Sequence, residues 1–310
     1  MKQIGNYLGL AFLALAACGA RDVQPEMKVF ADSYNAVQSG MEKKIKPQLA
    51  LARQQDQKHA AKHRHAWALS VGCGNASAFA NLGKDADCKI DRVVPKTAPK
   101  LPIHPAEAVQ RKMRALDNYI SSLQLIVGST LEDELSAAFK AASDASKDLD
   151  KALDENNIQS PVAKVPDGIA KIQPAASFLV RNARHRKLRQ TVTGSQQNVE
   201  DLIEEIMLLV IGMNLDPQFV KLSDDLAAAG KAAGDAKLDG SDTQYERALE
   251  QLENAHSKFV SYERKSILGK LRRIAITHNS LAKALQANAT ADEVNSFLGD
   301  LVELKEAVEG

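Results

Sequence analysis

Apolar residues recur at alternating steps of three and four along nearly every segment after Pro25. Phe30, Tyr34, Val37, Met41 and Ile45 form the first series, and Val109, Met113, Leu116, Ile120, Leu123 and Val127 the second. Leu131, Leu135, Ala138, Ala142, Ala145 and Leu149 make an alanine-rich third, which predicts close helix approach. The fourth runs from Leu188 through Val192, Ser195, Val199, Leu202, Ile206 and Leu209 to Met213, and a shorter fifth takes in Phe219, Leu222, Leu226 and Ala229. A sixth spans Ile267, Leu271, Ile274, His278, Leu281 and Leu285, and the last holds Val294, Phe297, Leu301, Leu304 and Val308. A repeat averaging 3.5 residues keeps one narrow stripe facing a partner helix, so the packing predicted is coiled-coil-like. No stretch alternates with period two strongly enough to propose a sheet. The pattern predicts an all-α chain: an elongated antiparallel helical bundle with coiled-coil-like hairpins.

Punctuation places the helix ends. Pro105 after His104 and Pro217 after Asp216 mark first turns, where a missing N–H costs nothing. Ser129 with Glu132, Thr243 with Glu246 and Thr290 with Glu293 have capping-box spacing. Short connections at Gly128–Ser129 and Ala287–Ala289 demand antiparallel neighbours. Pro47 lies within the first helix, away from its apolar stripe, and predicts a kink there. Residues 70–102 and 156–174 read as irregular. A helix from Thr243 to Ala287 would be long for a globular domain. Its early seam of Tyr245, Leu249, Leu252 and His256 falls out of register with Ile267, so Val260 to Arg264 is expected to act as a stutter.

Composition narrows the chemistry. Aromatics are 5% of the 310 residues, so the cores must be aliphatic. With 40 basic and 39 acidic side chains there is no excess charge to draw nucleic acid. At the start, Lys2 precedes an apolar run from Tyr7 to Ala17, the shape of a secretory signal too short to span a bilayer. That run ends in Leu15-Ala16-Ala17-Cys18, which resembles the lipobox of bacterial lipoproteins. The resemblance implies cleavage before Cys18, acylation of its thiol and amine, and attachment to the membrane through that lipid. With Gly19 rather than Asp following the cysteine, it also implies the outer membrane, facing the periplasm; in a Gram-positive source the anchor would face outward from a single membrane. The organisation expected is a removed signal at 1–17, a tether at 18–28 and a helical bundle over 29–310, with a disulfide-clamped irregular segment at 70–102.

Cys73 and Cys88 are then the two remaining thiols, an even count that favours a disulfide in an exported chain. Closing a loop of that size removes roughly 3 kcal/mol of unfolded-state entropy in the chain-entropy account. Their spacing lacks the C-x-x-C of a reactive or metal-binding pair.

Three further features bear on function. Arg181, Arg184, Arg186, Lys187 and Arg189 have no acid among them, and Arg272 with Arg273 belongs to a second cationic zone. Acidic runs elsewhere balance them, so aligned flanks that set helix register are the simpler account. Binding of anionic envelope polymers or lipid head groups is the functional alternative. His59 and His63 stand at i,i+4, a spacing that can present two imidazoles to one metal ion, but no Glu adjoins them and Lys58, Lys62 and Arg64 oppose a dication. No metal site is therefore assigned. Catalytic signatures are missing: Ala229-Gly230-Lys231 has neither the upstream glycine nor the following Ser or Thr of a phosphate loop. The expectation is a non-enzymatic, cofactor-free envelope lipoprotein that acts as a lipid-anchored helical scaffold through an envelope protein partner. The alternative is a ligand-binding module for anionic polymers or a metal ion. Heptad seams join chains as readily as helices of one chain, so a homo-oligomer is compatible with the pattern.

Overall fold

A computed structural model describes residues 23–63, 65–69, 90–93, 99, 101–154, 177–238, 241–286 and 289–309. The chain is an all-α helical bundle. Nine helices lie among the described residues: α1 (Gln24–Lys62), α2 (Pro105–Gly128), α3 (Glu132–Asp154), α4 (Ser177–Gly194), α5 (Gln196–Gly212), α6 (Pro217–Leu238), α7 (Asp242–Glu263), α8 (Ile267–Ala284) and α9 (Ala291–Glu309). Two compact units divide the chain, residues 1–44 with 109–310 and residues 45–108.

In the larger unit the 3-4 series become the core. Every seam position of α2 is buried, as are Phe30, Tyr34, Val37 and Met41 of α1. In α8 Ile267, Leu271, Ile274, His278 and Leu281 are all buried, and Leu285 just beyond it is buried too. Helix α8 packs against α9 and α5, while α6 and α7 pack chiefly on each other as a helical hairpin. Because Leu271 is 0% exposed, Leu271→Asp is expected to cost roughly 4 kcal/mol or more by burying an unpaired charge. Urea unfolding followed by circular dichroism tests this; an unchanged midpoint would refute the seam assignment of α8.

Several helix boundaries depart from the sequence pattern. The fourth series is two helices, because the chain yields at Gly194–Ser195 while Ser195 keeps its seam place, fully buried. The long helix expected over 243–287 is broken rather than stuttered. Ser266 caps α8, accepting a hydrogen bond from Gly269 N at 2.8 Å, and donates to Glu263 O at 3.1 Å. A side chain at Gly269 would place its Cβ 2.0 Å from the Glu263 carbonyl oxygen, so only glycine permits this corner. As a result the α7 seam is shifted: Ala248 and Phe259 are buried and His256 is exposed. Helix α6 also continues well past Ala229, to Leu238.

The caps follow local chemistry. Thr290 and Glu293 form the reciprocal box, with Glu293 Oε2 accepting from Thr290 N at 2.7 Å and Thr290 Oγ1 from Glu293 N at 3.2 Å. At α3 the role passes from Glu132 to Glu134, which accepts from the backbone of Thr130 and Leu131, while Ser129 donates to Leu125 O and closes α2. Those bonds hold the Glu134 carboxyl below its ordinary pKa. Helix α7 starts at Asp242 with Ser241 at its N-cap, two residues ahead of Thr243.

The smaller unit contains the second half of α1, with Pro47 on its exposed side, and a short antiparallel ribbon. Strand β1 (Ala66–Leu69) pairs with β2 (Ile90–Val93), Ala66 opposite Val93 and Leu69 opposite Ile90. Four residues per strand carry too few alternations for a period of two to stand out in the sequence. Helix α1 begins at Gln24, inside the stretch expected to be a tether, and Met27 is already buried.

Candidate functional site

The structure places polar chemistry inside the bundle where the apolar periodicity conceals it. His278 occupies a seam position of α8 and is fully buried beside Phe30, with ring centroids 6.5 Å apart. Its Nε2 lies 2.9 Å from the Tyr119 hydroxyl of α2. Tyr119 is also hydrogen-bonded to Ser195, which lies 2.8 Å from Ser146 of α3. The Ser146 hydroxyl donates to Ala142 O at 2.9 Å. Burial lowers the His278 pKa to about 4 and raises that of Tyr119. The chain of bonds ties α2, α3 and α8 together through Ser195.

A second polar contact crosses the same unit. Lys112 of α2 is 2% exposed, and its ammonium meets Glu205 of α5 at 2.5 Å and donates to the Ala152 carbonyl near the end of α3. Glu204 and Glu205 point apart, as adjacent helical positions must. Only Glu204 is a solvent-facing flank; Glu205 is buried.

The basic candidates are largely engaged within the fold. Arg184 donates to Val127 O at 3.0 Å, satisfying an end carbonyl of α2. The Lys187 ammonium sits 3.7 Å from the centre of the Phe139 ring. Arg272 pairs with Glu263 at 2.9 Å and Arg273 with Glu303. Arg186 is exposed and Arg189 half-buried. The Arg181 side chain lies outside the described residues, as do Cys18, Cys73 and Cys88.

In the smaller unit His59 and His63 come together with ring centroids 4.5 Å apart. The chain then returns His65, which the sequence did not single out as a ligand, to 5.5 Å from His59. Desolvation, with His59 and Lys62 nearby, holds the His63 pKa below its ordinary value. Among the described residues no group of three or more His, Cys, Asp or Glu is arranged to hold a metal ion.

What remains open is a surface. Between α5 and α8 runs a groove of about 540 Å³, whose walls include Glu204, Leu208, Ile211, Arg272 and Ile276. Leu208 is 59% exposed, Ile211 38% and Ile276 39%, side by side on two adjacent helices. Among the described residues no single helix is long and apolar enough to cross a membrane. No known protein family, curated protein or solved structure matches this chain.

Proposed function

We propose that the protein is a non-enzymatic envelope lipoprotein, held to the outer membrane by acyl chains on Cys18, that acts in the periplasm as a helical scaffold through protein contacts. The observation that carries the reading is Leu15-Ala16-Ala17-Cys18 at the end of a short apolar run. Several acyl chains on one residue anchor firmly, since each buried CH₂ contributes about 0.8 kcal/mol. Two features of the folded part support a contact role. The inward polar groups are occupied in joining helices, and three exposed apolar side chains, Leu208, Ile211 and Ile276, share the face of α5 and α8.

Metabolic labelling with a fatty-acid analogue tests the anchor. Wild-type protein is expected to carry the label and sediment with membranes, and Cys18→Ser is expected to lose both. An unlabelled wild-type protein that stays in the supernatant would overturn the assignment.

A further inference from the structure

We infer that the end of the larger unit at which α1 begins is a seat for the lipid surface, where Leu125 and Leu131 enter the bilayer interface beside the acylated Cys18. The inference rests on the lipoprotein reading and deepens it, by assigning the end of the bundle that the anchor holds against the membrane.

Contacts across the core locate the start of α1. Tyr34 donates to Met113 O of α2 at 2.6 Å, and Phe30 lies beside His278, which is bonded to Tyr119 further along α2. Going back along α1 is therefore going forward along α2. The same holds against α8, because a Cβ at Gly40 would lie 3.5 Å from Ile267 at the start of that helix, ten residues after Phe30 meets His278. Helix α1 begins at Gln24, about 9 Å before Phe30, and an equal rise from Tyr119 reaches Leu125 in the last turn of α2. The tether is short as well. Residues 19–23 separate Cys18 from α1, and a chain spans at most about 3.6 Å per residue, so the acyl chains attach within about 20 Å of this end.

Two large apolar side chains face water there. Leu125 is 57% exposed, and Leu131, in the connection from α2 to α3, is 61% exposed. Neither belongs to the core, which takes Ile126 and Val127 from α2 and Leu135 from α3. Leu125 stands about 4.5 Å short of Gly128, the last residue of α2. Apolar side chains settle about 5–10 Å into the boundary of head groups and acyl chains, so both leucines can leave water together. Glu132 and Asp133 open α3, and Asp292 opens α9 at the same end. Charge therefore does not draw this end to an anionic surface; the contact is apolar and fits zwitterionic head groups. Helix α5 runs away from the seat, with Ser195 by Ser146 and Asn198 by Asp150 further along α3. Its Glu205 meets Lys112, about 24 Å from Gly128, and Leu208 and Ile211 lie beyond. The seat thus leaves the α5/α8 face open to protein contacts.

The full lipidated chain in phosphatidylcholine vesicles, with bromine on the upper part of the acyl chains as a quencher, tests the seat. Leu131→Trp is expected to lose most of its added fluorescence and Leu208→Trp to keep it. The parent chain, whose one tryptophan is Trp67, supplies the background. Both substituted positions are exposed, so neither variant disturbs the core. Loss at neither position, in a chain that carries the fatty-acid label, would overturn the seat and leave the anchor in place. Equal loss at both would also overturn it, because the bundle would then lie along the surface. A chain without the label would remove the anchor itself, and the seat with it.

Discussion

Lowering the pH from 7 to 4 is expected to cost the larger unit about 3 kcal/mol through His278 alone. In the folded chain the imidazole titrates at about 4, whereas exposed by unfolding it returns to about 6.5. The folded pKa is the lower one, so above pH 6.5 both states are neutral and His278 imposes no penalty. Below that, the unfolded chain takes up the proton and the folded chain does not, and stability falls until about pH 4. The cause is geometric. His278 is fully buried, its Nε2 is hydrogen-bonded to the Tyr119 hydroxyl, and the ring of Phe30 lies alongside. His278→Gln isolates the effect from titrating carboxylates, since glutamine can hydrogen-bond to Tyr119 but does not ionise. Urea midpoints of the two proteins should diverge as the pH falls, the variant losing less. Parallel profiles would show that His278 is not the buried neutral imidazole described.

Removing one member of the Lys112–Glu205 pair is expected to be more damaging than removing both. Lys112→Met leaves a carboxylate in the core without its ammonium, at a cost of about 3–5 kcal/mol, and Glu205→Leu leaves an ammonium with the Ala152 carbonyl alone. The double variant replaces two desolvated charges with apolar volume, and it should recover most of that loss. Thermal unfolding of the four proteins closes the cycle, and the sign of the coupling is diagnostic. Additive losses would mean that the two charges do not meet in the folded protein. The pair joins α2 to α5 and to the end of α3 at one height. The seams themselves repeat too regularly to choose one register.

That regularity explains what the sequence discloses. Spacing alone finds the central stripe of α1, α2, α3, α8 and α9, because burial along one stripe is what makes a helix pack; it leaves out buried neighbours such as Ile126, Phe139 and Leu268 and takes in Leu131, which is 61% exposed. The same periodicity misleads where the chain turns without losing phase. At Ser195 the apolar series runs on through a helix break. At Ser266 the slip near Val260–Arg264 is visible, but the corner is signalled by Ser266 and Gly269, a capping serine three residues before a glycine that must approach backbone. Polar contacts in the core are less legible still. His278 is evident as a seam residue, yet Tyr119 stands 159 positions away and no local pattern links them. Lys112 and Glu205 fall beside the stripes rather than on them, where a charged residue looks like a solvent flank. The α5/α8 face combines two segments more than sixty residues apart, so neither stripe announces a patch by itself.

The central claim, a lipid-anchored protein that works through protein contacts, is tested most directly by crosslinking the tagged, lipidated chain in cells. Whatever co-purifies is then identified at low and at high salt. A stoichiometric protein partner, another copy of the chain included, should be retained at high salt, because apolar contacts are little affected by the screening that weakens exposed charges. Recovery of only anionic glycan or lipid, released as salt rises, would contradict the account and assign the function to the basic side chains of α4 and α8.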